Sequence, residues 1–168
     1  MTTASPFLKL GFLILVSGAI QAADEFAAKK ALAEEQPVVL ARAELPLSPE
    51  AHPKSVQVVI RDGKILAQLL DCEDEQAAVA LTAAALGVET VNFKQEMLIA
   101  VSAGPVRGRL LKLDVSRLSV AKEEMRVEWE IQRMMERAAD PVRHPVRLVL
   151  VKRFPGNVVF LPPTESLR

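Results

Sequence analysis

The residues that most often ligate metals or act as nucleophiles are scarce in this sequence. It has two histidines, His52 and His144, and one cysteine, Cys72. A zinc site takes three or four His, Cys or carboxylate ligands that converge, whereas these three residues are far apart in the chain. Cys72 also lies between acidic residues, whose negative charge disfavours the reactive thiolate. The pattern predicts no metal centre, no cofactor and no cysteine nucleophile.

Other motifs of catalytic or phosphate-binding proteins are incomplete. Ser102 precedes Gly104 but does not lie in a Gly-x-Ser-x-Gly elbow. The acidic residues at 71–75 lack the glycine and the alternating spacing of a calcium loop, and they suit the start of a helix. No glycine-rich phosphate loop precedes a helix. We therefore predict that the protein is not an enzyme.

A basic stretch with adjacent methionines is the candidate partner-binding surface. Residues 106–168 hold 13 basic and 8 acidic residues, whereas residues 23–105 hold 7 basic and 13 acidic ones. Adjacent methionines are adaptable contact residues. The predicted contact residues are Arg107, Arg109, Met134, Met135 and Arg143. The other interpretation is that the two oppositely charged halves face each other and that the methionines fill a loop.

An alternative function is a small-ligand-binding protein or an enzyme with a site near Arg107, Arg143 and His144. This alternative requires a concave polar site with a perturbed histidine. Nucleic-acid binding is not predicted, because the chain has no tyrosine and Trp129 falls on the apolar side of its strand. The expected partner is another protein.

The N-terminal 22 residues have the pattern of a secretory signal peptide. Lys9 is followed by the apolar run Leu10–Ile20 and then by small residues around Ala22. The run is short for a membrane anchor, and we expect no integral membrane span after cleavage. The sequence therefore predicts an exported protein that is periplasmic, at the cell surface or secreted.

The remaining pattern predicts an α+β, β-rich fold: a mainly antiparallel sheet of about five to six strands with one main helix, residues 74–86, packed on it. The apolar run Met97–Val101 predicts a central strand that is buried on both faces. Residues 23–54 are predicted to form an N-terminal helix and a proline-rich connection with an edge strand at Val38–Leu40. The β-rich domain is expected over 55–163, followed by a tail over 164–168. Pro155-Gly156 predicts a hairpin between the last two strands.

Several of these segments resemble the C-terminal domain of the protease complex subunit PrcB family. The shared pattern runs from Val58 to Phe160 and includes VVIRD, Asn92-Phe93, EMLIAVSAG and the segment from His144 to Val149. The resemblance implies an exported accessory subunit that binds or stabilises another protein, such as an extracellular protease. The chain departs from the family at 105–109, where one glycine and no tyrosine replace a Thr-Gly-Gly-Tyr type turn, and at Val146, where the family often has an aromatic residue.

Overall fold

The structure, a computed structural model, describes residues 35–107, 110–133 and 141–167. Its helices are α1 (Gly63–Leu70) and α2 (Glu75–Leu86). Its strands are β1 (Val39–Pro46), β2 (Val56–Ile60), β3 (Glu96–Ser102), β4 (Val106–Arg107), β5 (Leu110–Ala121), β6 (Glu124–Arg133), β7 (Val142–Arg143), β8 (Pro145–Lys152), β9 (Asn157–Phe160) and β10 (Thr164–Leu167). The predicted α+β, β-rich class is confirmed. The predicted signal peptide and nearly all of the predicted N-terminal helix lie outside the described residues.

The strands form two four-stranded sheets and a short ribbon, where the sequence predicted a single sheet. The first sheet is antiparallel and has the order β1-β8-β3-β2. In the second sheet β6 pairs with β5 in antiparallel and with β9 and β10 in parallel orientation. The ribbon is the antiparallel pair of β4 and β7.

Strand β3 is buried on both faces, as the sequence predicted. Met97, Ile99 and Val101 belong to the core that the first sheet shares with the second sheet. Leu98 and Ala100 belong to the core that the first sheet shares with the two helices. Successive side chains of a strand point to opposite faces, so a continuous apolar run fits a strand between two apolar layers.

The helices begin and end at residues suited to those positions. Asp74 caps α2 by accepting hydrogen bonds from the backbone N–H groups of Gln76 and Ala77, at 3.1 and 3.0 Å. Gly87 closes α2 with a φ of 69°, a left-handed conformation that glycine adopts without a steric penalty. Asp62 caps α1 in the same way, through a 2.8 Å bond from the N–H of Ile65.

Strand β1 is longer than predicted and places residues before 55 inside the first sheet. The expected edge strand covered Val38–Leu40, but β1 pairs with β8 along Val39–Pro46. Prolines had argued against regular structure here, yet Pro37 precedes the strand and Pro46 ends it. The prolines therefore bracket the strand, and no interior N–H of the ladder is lost.

Two predictions for the C-terminal segment were wrong. No hairpin joins β8 to β9, because β1 and β3 already occupy both edges of β8. After Gly156 the chain crosses to the second sheet, and the N–H of Asn157 donates to the carbonyl of Glu123 at 2.9 Å. The predicted tail forms β10, which pairs with β6 beyond the break at Pro162-Pro163.

Candidate partner-binding site

The ribbon of β4 and β7 brings two of the predicted contact residues onto neighbouring strands. Arg107 pairs in register with Val142, and Val106 pairs with Arg143. Arg107 and Arg143 are both exposed, and Val142 is 47% exposed, whereas Val106 is buried. The register therefore places Arg107 beside the exposed Val142 on one face of the ribbon and Arg143 beside the buried Val106 on the other. We call this pair of strands the arginine ribbon.

A cleft of about 340 Å³ borders the arginine ribbon. Its walls come from the end of β1, from the loop that follows β1, and from β7 with the start of β8. The lining residues are Glu44, Leu45, Pro46, Leu47, Pro49, Val142, Arg143, His144 and Pro145. Prolines and aliphatic side chains make much of this wall apolar. The volume is near the lower end of small-molecule sites, which start at about 300 Å³.

The carboxylate in the cleft wall is engaged by a cation outside it. Glu44 Oε2 lies 3.2 Å from Nη2 of Arg147. The same guanidinium donates from Nε to the carbonyl of Leu113 at 2.8 Å. Arg147 forms an ion pair with Glu44, and Arg143 adds a positive charge to the cleft lining. An anionic group on a partner would be favoured there.

His144 lies at the base of the cleft and is 1% exposed. Among the described residues, neither of its ring nitrogens has a hydrogen-bond partner, and the same holds for the buried Nε2 of His52. The rings of His52 and His144 lie 6.4 Å apart, centroid to centroid, in a T-shaped arrangement. Buried polar atoms are normally paired, so this histidine pair is an unusual feature of the fold.

Burial lowers the pKa of His144 below its ordinary value of 6.5. Desolvation is the largest cause, because a buried imidazolium loses its hydration. Repulsion from His52 lowers the pKa further. The nearby backbone of His52 raises it in part, although its geometry to the ring falls short of a hydrogen bond. His144 is therefore neutral at neutral pH.

The loop between β1 and β2, residues 47–55, carries His52 to this position. The N–H of Leu47 donates to the carbonyl of His144 at 2.7 Å, which ties the start of the loop to β7 and β8. The N–H of His52 donates to the carbonyl of Ser48 at 3.0 Å and closes a turn within the loop. At the far end, Gly104 lies against the backbone of Lys54 and Ser55.

The sequence prediction of the site was partly correct about location and missed one member. Arg107 and Arg143 come together on the ribbon, whereas Arg109, Met134 and Met135 lie outside the described residues. The proximity of His52 to His144 was missed, because 91 positions separate them in the sequence. The available signal was that each histidine immediately precedes a proline, in two segments that become adjacent only in the sheet.

Ser102 and Cys72, the two residues considered as possible nucleophiles, both contribute to the packing of the fold. Ser102 is buried and its Oγ accepts a hydrogen bond from the N–H of Gly104 at 3.2 Å. Cys72 is partly buried against the core between the helices and the first sheet. Within residues 35–107, 110–133 and 141–167, no three His, Cys, Asp or Glu side chains cluster as metal ligands would.

Comparison with known proteins identifies no relative: no family model, no curated protein and no solved structure matches this chain. Neither α1 nor α2, the helices of the described residues, has the length and hydropathy needed to cross a membrane.

Proposed function

We propose that the protein is an exported, non-catalytic accessory module that binds another protein through the arginine ribbon and the adjacent cleft. The observation that carries this proposal is the pairing of β4 with β7. It sets Arg107 beside the exposed Val142, and Val142 and Arg143 line the adjacent cleft. Arginine is enriched at protein interfaces, where its planar guanidinium forms forked hydrogen bonds.

The chemistry of the surface favours an extended acidic segment of the partner. A carboxylate of that segment would meet Arg143, whose charge is not compensated by Glu44 because Arg147 engages Glu44. An adjacent apolar side chain would fill the part of the cleft that Leu45, Pro46 and Pro49 line. A cleft of about 340 Å³ holds one or two side chains, and the exposed ribbon extends the contact area.

The amino-acid sequence adds two supports from outside the site. The signal-peptide pattern over residues 1–22 supports export. The resemblance to the PrcB family, carried by segments such as EMLIAVSAG, supports an accessory role toward an extracellular protease or an envelope complex. N-terminal sequencing of the exported protein tests the first support. We expect a start at Ala23 or Asp24, and an intact Met1 would refute cleavage.

A cross-linking experiment on exported protein tests partner binding at this surface. The tagged full-length chain is expressed in its host, cross-linked, and purified from the exported fraction. We expect a specific cross-linked partner with the wild type and loss of that partner with Arg143→Glu. The matched control is Arg126→Glu on β6, which reverses the charge of an exposed arginine outside the cleft lining. If Arg143→Glu captured the partner as well as Arg126→Glu does, the arginine ribbon would be excluded as the contact surface.

The alternative of a small-ligand or active site has one observation in its favour. A concave site does exist at His144, and the pKa of this histidine is lowered. Ligand-observed NMR with a library of small carboxylic acids tests this alternative. Binding that is retained in Arg126→Glu and lost in both Arg143→Glu and His144→Gln would favour the small-ligand function over the protein-binding one.

A further inference from the structure

The histidine pair joins two parts of the cleft that are far apart in the sequence. His52 belongs to the loop of residues 47–55, and His144 lies between β7 and β8. The loop contributes Leu47 and Pro49 to the cleft wall, so its position determines whether the cleft has its observed shape. The two imidazoles therefore connect a surface loop to the chain just before β8.

The observed packing accommodates a neutral imidazole at His144 and disfavours a charged one. His144 is 1% exposed, and the Nε2 of His52 is also buried. An imidazolium at His144 would lose its hydration, and neither of its ring nitrogens has a geometrically formed hydrogen bond among the described residues. Repulsion from His52, whose ring centroid lies 6.4 Å away, also disfavours a positive charge on His144.

The charged groups around the pair do not offset this effect. On β1, Glu44 is engaged by Arg147 of β8. In the loop, the carboxylate of Glu50 accepts a hydrogen bond from the Ser48 hydroxyl at 3.0 Å. On β7, Arg143 adds a positive charge to the cleft lining. In the described part of the chain, no carboxylate forms a hydrogen bond with a ring nitrogen of His144 or with Nε2 of His52.

We propose that His52 and His144 form a proton-sensitive closure that holds residues 47–55 against β7 and β8 at neutral pH and releases them on acidification. Release exposes the His144 ring to water, where it can carry its proton. Because the loop forms part of the cleft wall, its release removes the concave surface. This inference rests on the proposed function in its last step: acidification then weakens binding of the partner.

The direction of the effect follows from proton linkage. In the open form His144 is solvated and has its ordinary pKa of 6.5, whereas burial lowers its pKa in the closed form. The open form thus binds protons more readily, and falling pH below 6.5 shifts the population toward it. The packing that closes the loop is therefore the same packing that lowers the pKa of His144.

Amide hydrogen exchange on the protein without any partner tests the closure. Exchange is compared at about pH 7.5 and about pH 5.5, after correction for the intrinsic pH dependence of exchange, so that only the histidines change charge appreciably. We expect the N–H groups of Leu47 and His52 to lose several-fold protection at the lower pH. The N–H of Ala78 within α2, which donates to Asp74, is the internal control and should keep its protection.

Two variants separate the histidine pair from other effects of acid. In His144→Gln the acid-induced loss of protection at Leu47 and His52 should vanish. In His52→Gln the loss at Leu47 should shrink, because the repulsion from His52 that lowers the pKa of His144 is then absent. The two histidine C2–H resonances supply a readout in the wild type itself, since the chain has two histidines in all and the His52→Gln spectrum assigns them.

Unchanged loop protection in the wild type at the lower pH would overturn the closure, and so would an undiminished acid response in His144→Gln. The result is independent of partner capture. If the loop opens but the cross-linked partner is unaffected by Arg143→Glu, the closure stands and the proposed contact surface is wrong. If capture depends on Arg143 but not on pH, the contact surface stands and the closure is wrong.

Discussion

The imidazole rings of His52 and His144 lie 6.4 Å apart, centroid to centroid, in a T-shaped arrangement, and His144 lines the cleft. One ring comes from the loop after β1 and the other from the chain just before β8. A hydrogen bond of 2.7 Å from the N–H of Leu47 to the carbonyl of His144 is a second connection between the same two segments. The conformation of this loop therefore determines the shape of the surface that we assign to partner binding.

Protein stability should depend on pH through His144. The unfolded chain titrates near a pKa of 6.5, whereas the folded chain has a lowered His144 pKa. The free energy of unfolding is thus highest above pH 6.5 and falls as the pH drops toward the folded-state pKa, because the unfolded chain binds the extra proton. Urea unfolding between about pH 7.5 and about pH 5.5 measures this loss. His144→Gln should be flatter over that window, and an equal slope would refute the assignment to His144.

Replacement of Trp129 by alanine should strongly destabilise the domain. Trp129 is 2% exposed, and its indole N–H donates to the carbonyl of Leu161 at 2.9 Å. The cavity and the lost transfer energy should lower the free energy of unfolding by about 3–5 kcal/mol. Trp129→Phe keeps most of the apolar contact and should cost less. Unchanged thermal stability of Trp129→Ala would place this residue outside the core.

Gly104→Ala should destabilise the protein more than Gly87→Ala does. Both glycines have positive φ, 87° at Gly104 and 69° at Gly87, so each alanine incurs backbone strain. A Cβ at Gly104 would also lie 3.1 Å from the backbone N of Ser55, whereas one at Gly87 would meet open space. We expect about 1 kcal/mol for Gly87→Ala and up to about 3 kcal/mol for Gly104→Ala from denaturant unfolding. The reverse order would contradict the close approach of Gly104 to the loop.

Loss of the α2 cap should have a smaller, local effect. Asp74→Ala removes the acceptor for the N–H groups of Gln76 and Ala77 and should cost about 1 kcal/mol. Asp74→Asn is the control, because asparagine is a comparably good capping residue. If the asparagine variant lost as much stability as the alanine variant, the charge of Asp74 and not its hydrogen bonds would be responsible.

The sequence predicted the strands that a local pattern of apolar and polar residues identifies. Alternation around Trp129 identified β6, and the uninterrupted run at Met97–Val101 identified a strand between two apolar layers. The sequence did not predict that the strands divide into two sheets. A period-2 pattern indicates which face of a strand is buried, but it does not indicate which other element covers that face. The hairpin at Pro155-Gly156 failed for the same reason: a turn signal does not show which edges of β8 are already occupied.

The candidate site was predictable only in its charged members. Arg107 and Arg143 were predicted as members of the basic C-terminal half, and the β4–β7 pairing places them on neighbouring strands. The cleft beside them depends on Pro46 and Pro145 being opposite each other in the β1–β8 ladder. That register follows from pairing over the full length of β1. The sequence predicted only a short edge strand at Val38–Leu40. The approach of His52 to His144 is a consequence of the same register.

Capture of the partner by cross-linking in the exported fraction tests the central claim most directly, with paired substitutions at equally exposed apolar residues. Val142 is 47% exposed at the rim of the cleft, and Leu81 is 51% exposed on α2. If the arginine ribbon and cleft form the contact surface, Val142→Asp abolishes the cross-linked partner and Leu81→Asp retains it, while both variants unfold at wild-type denaturant concentrations. Retention of the partner by Val142→Asp, or its loss in Leu81→Asp alone, would contradict the account.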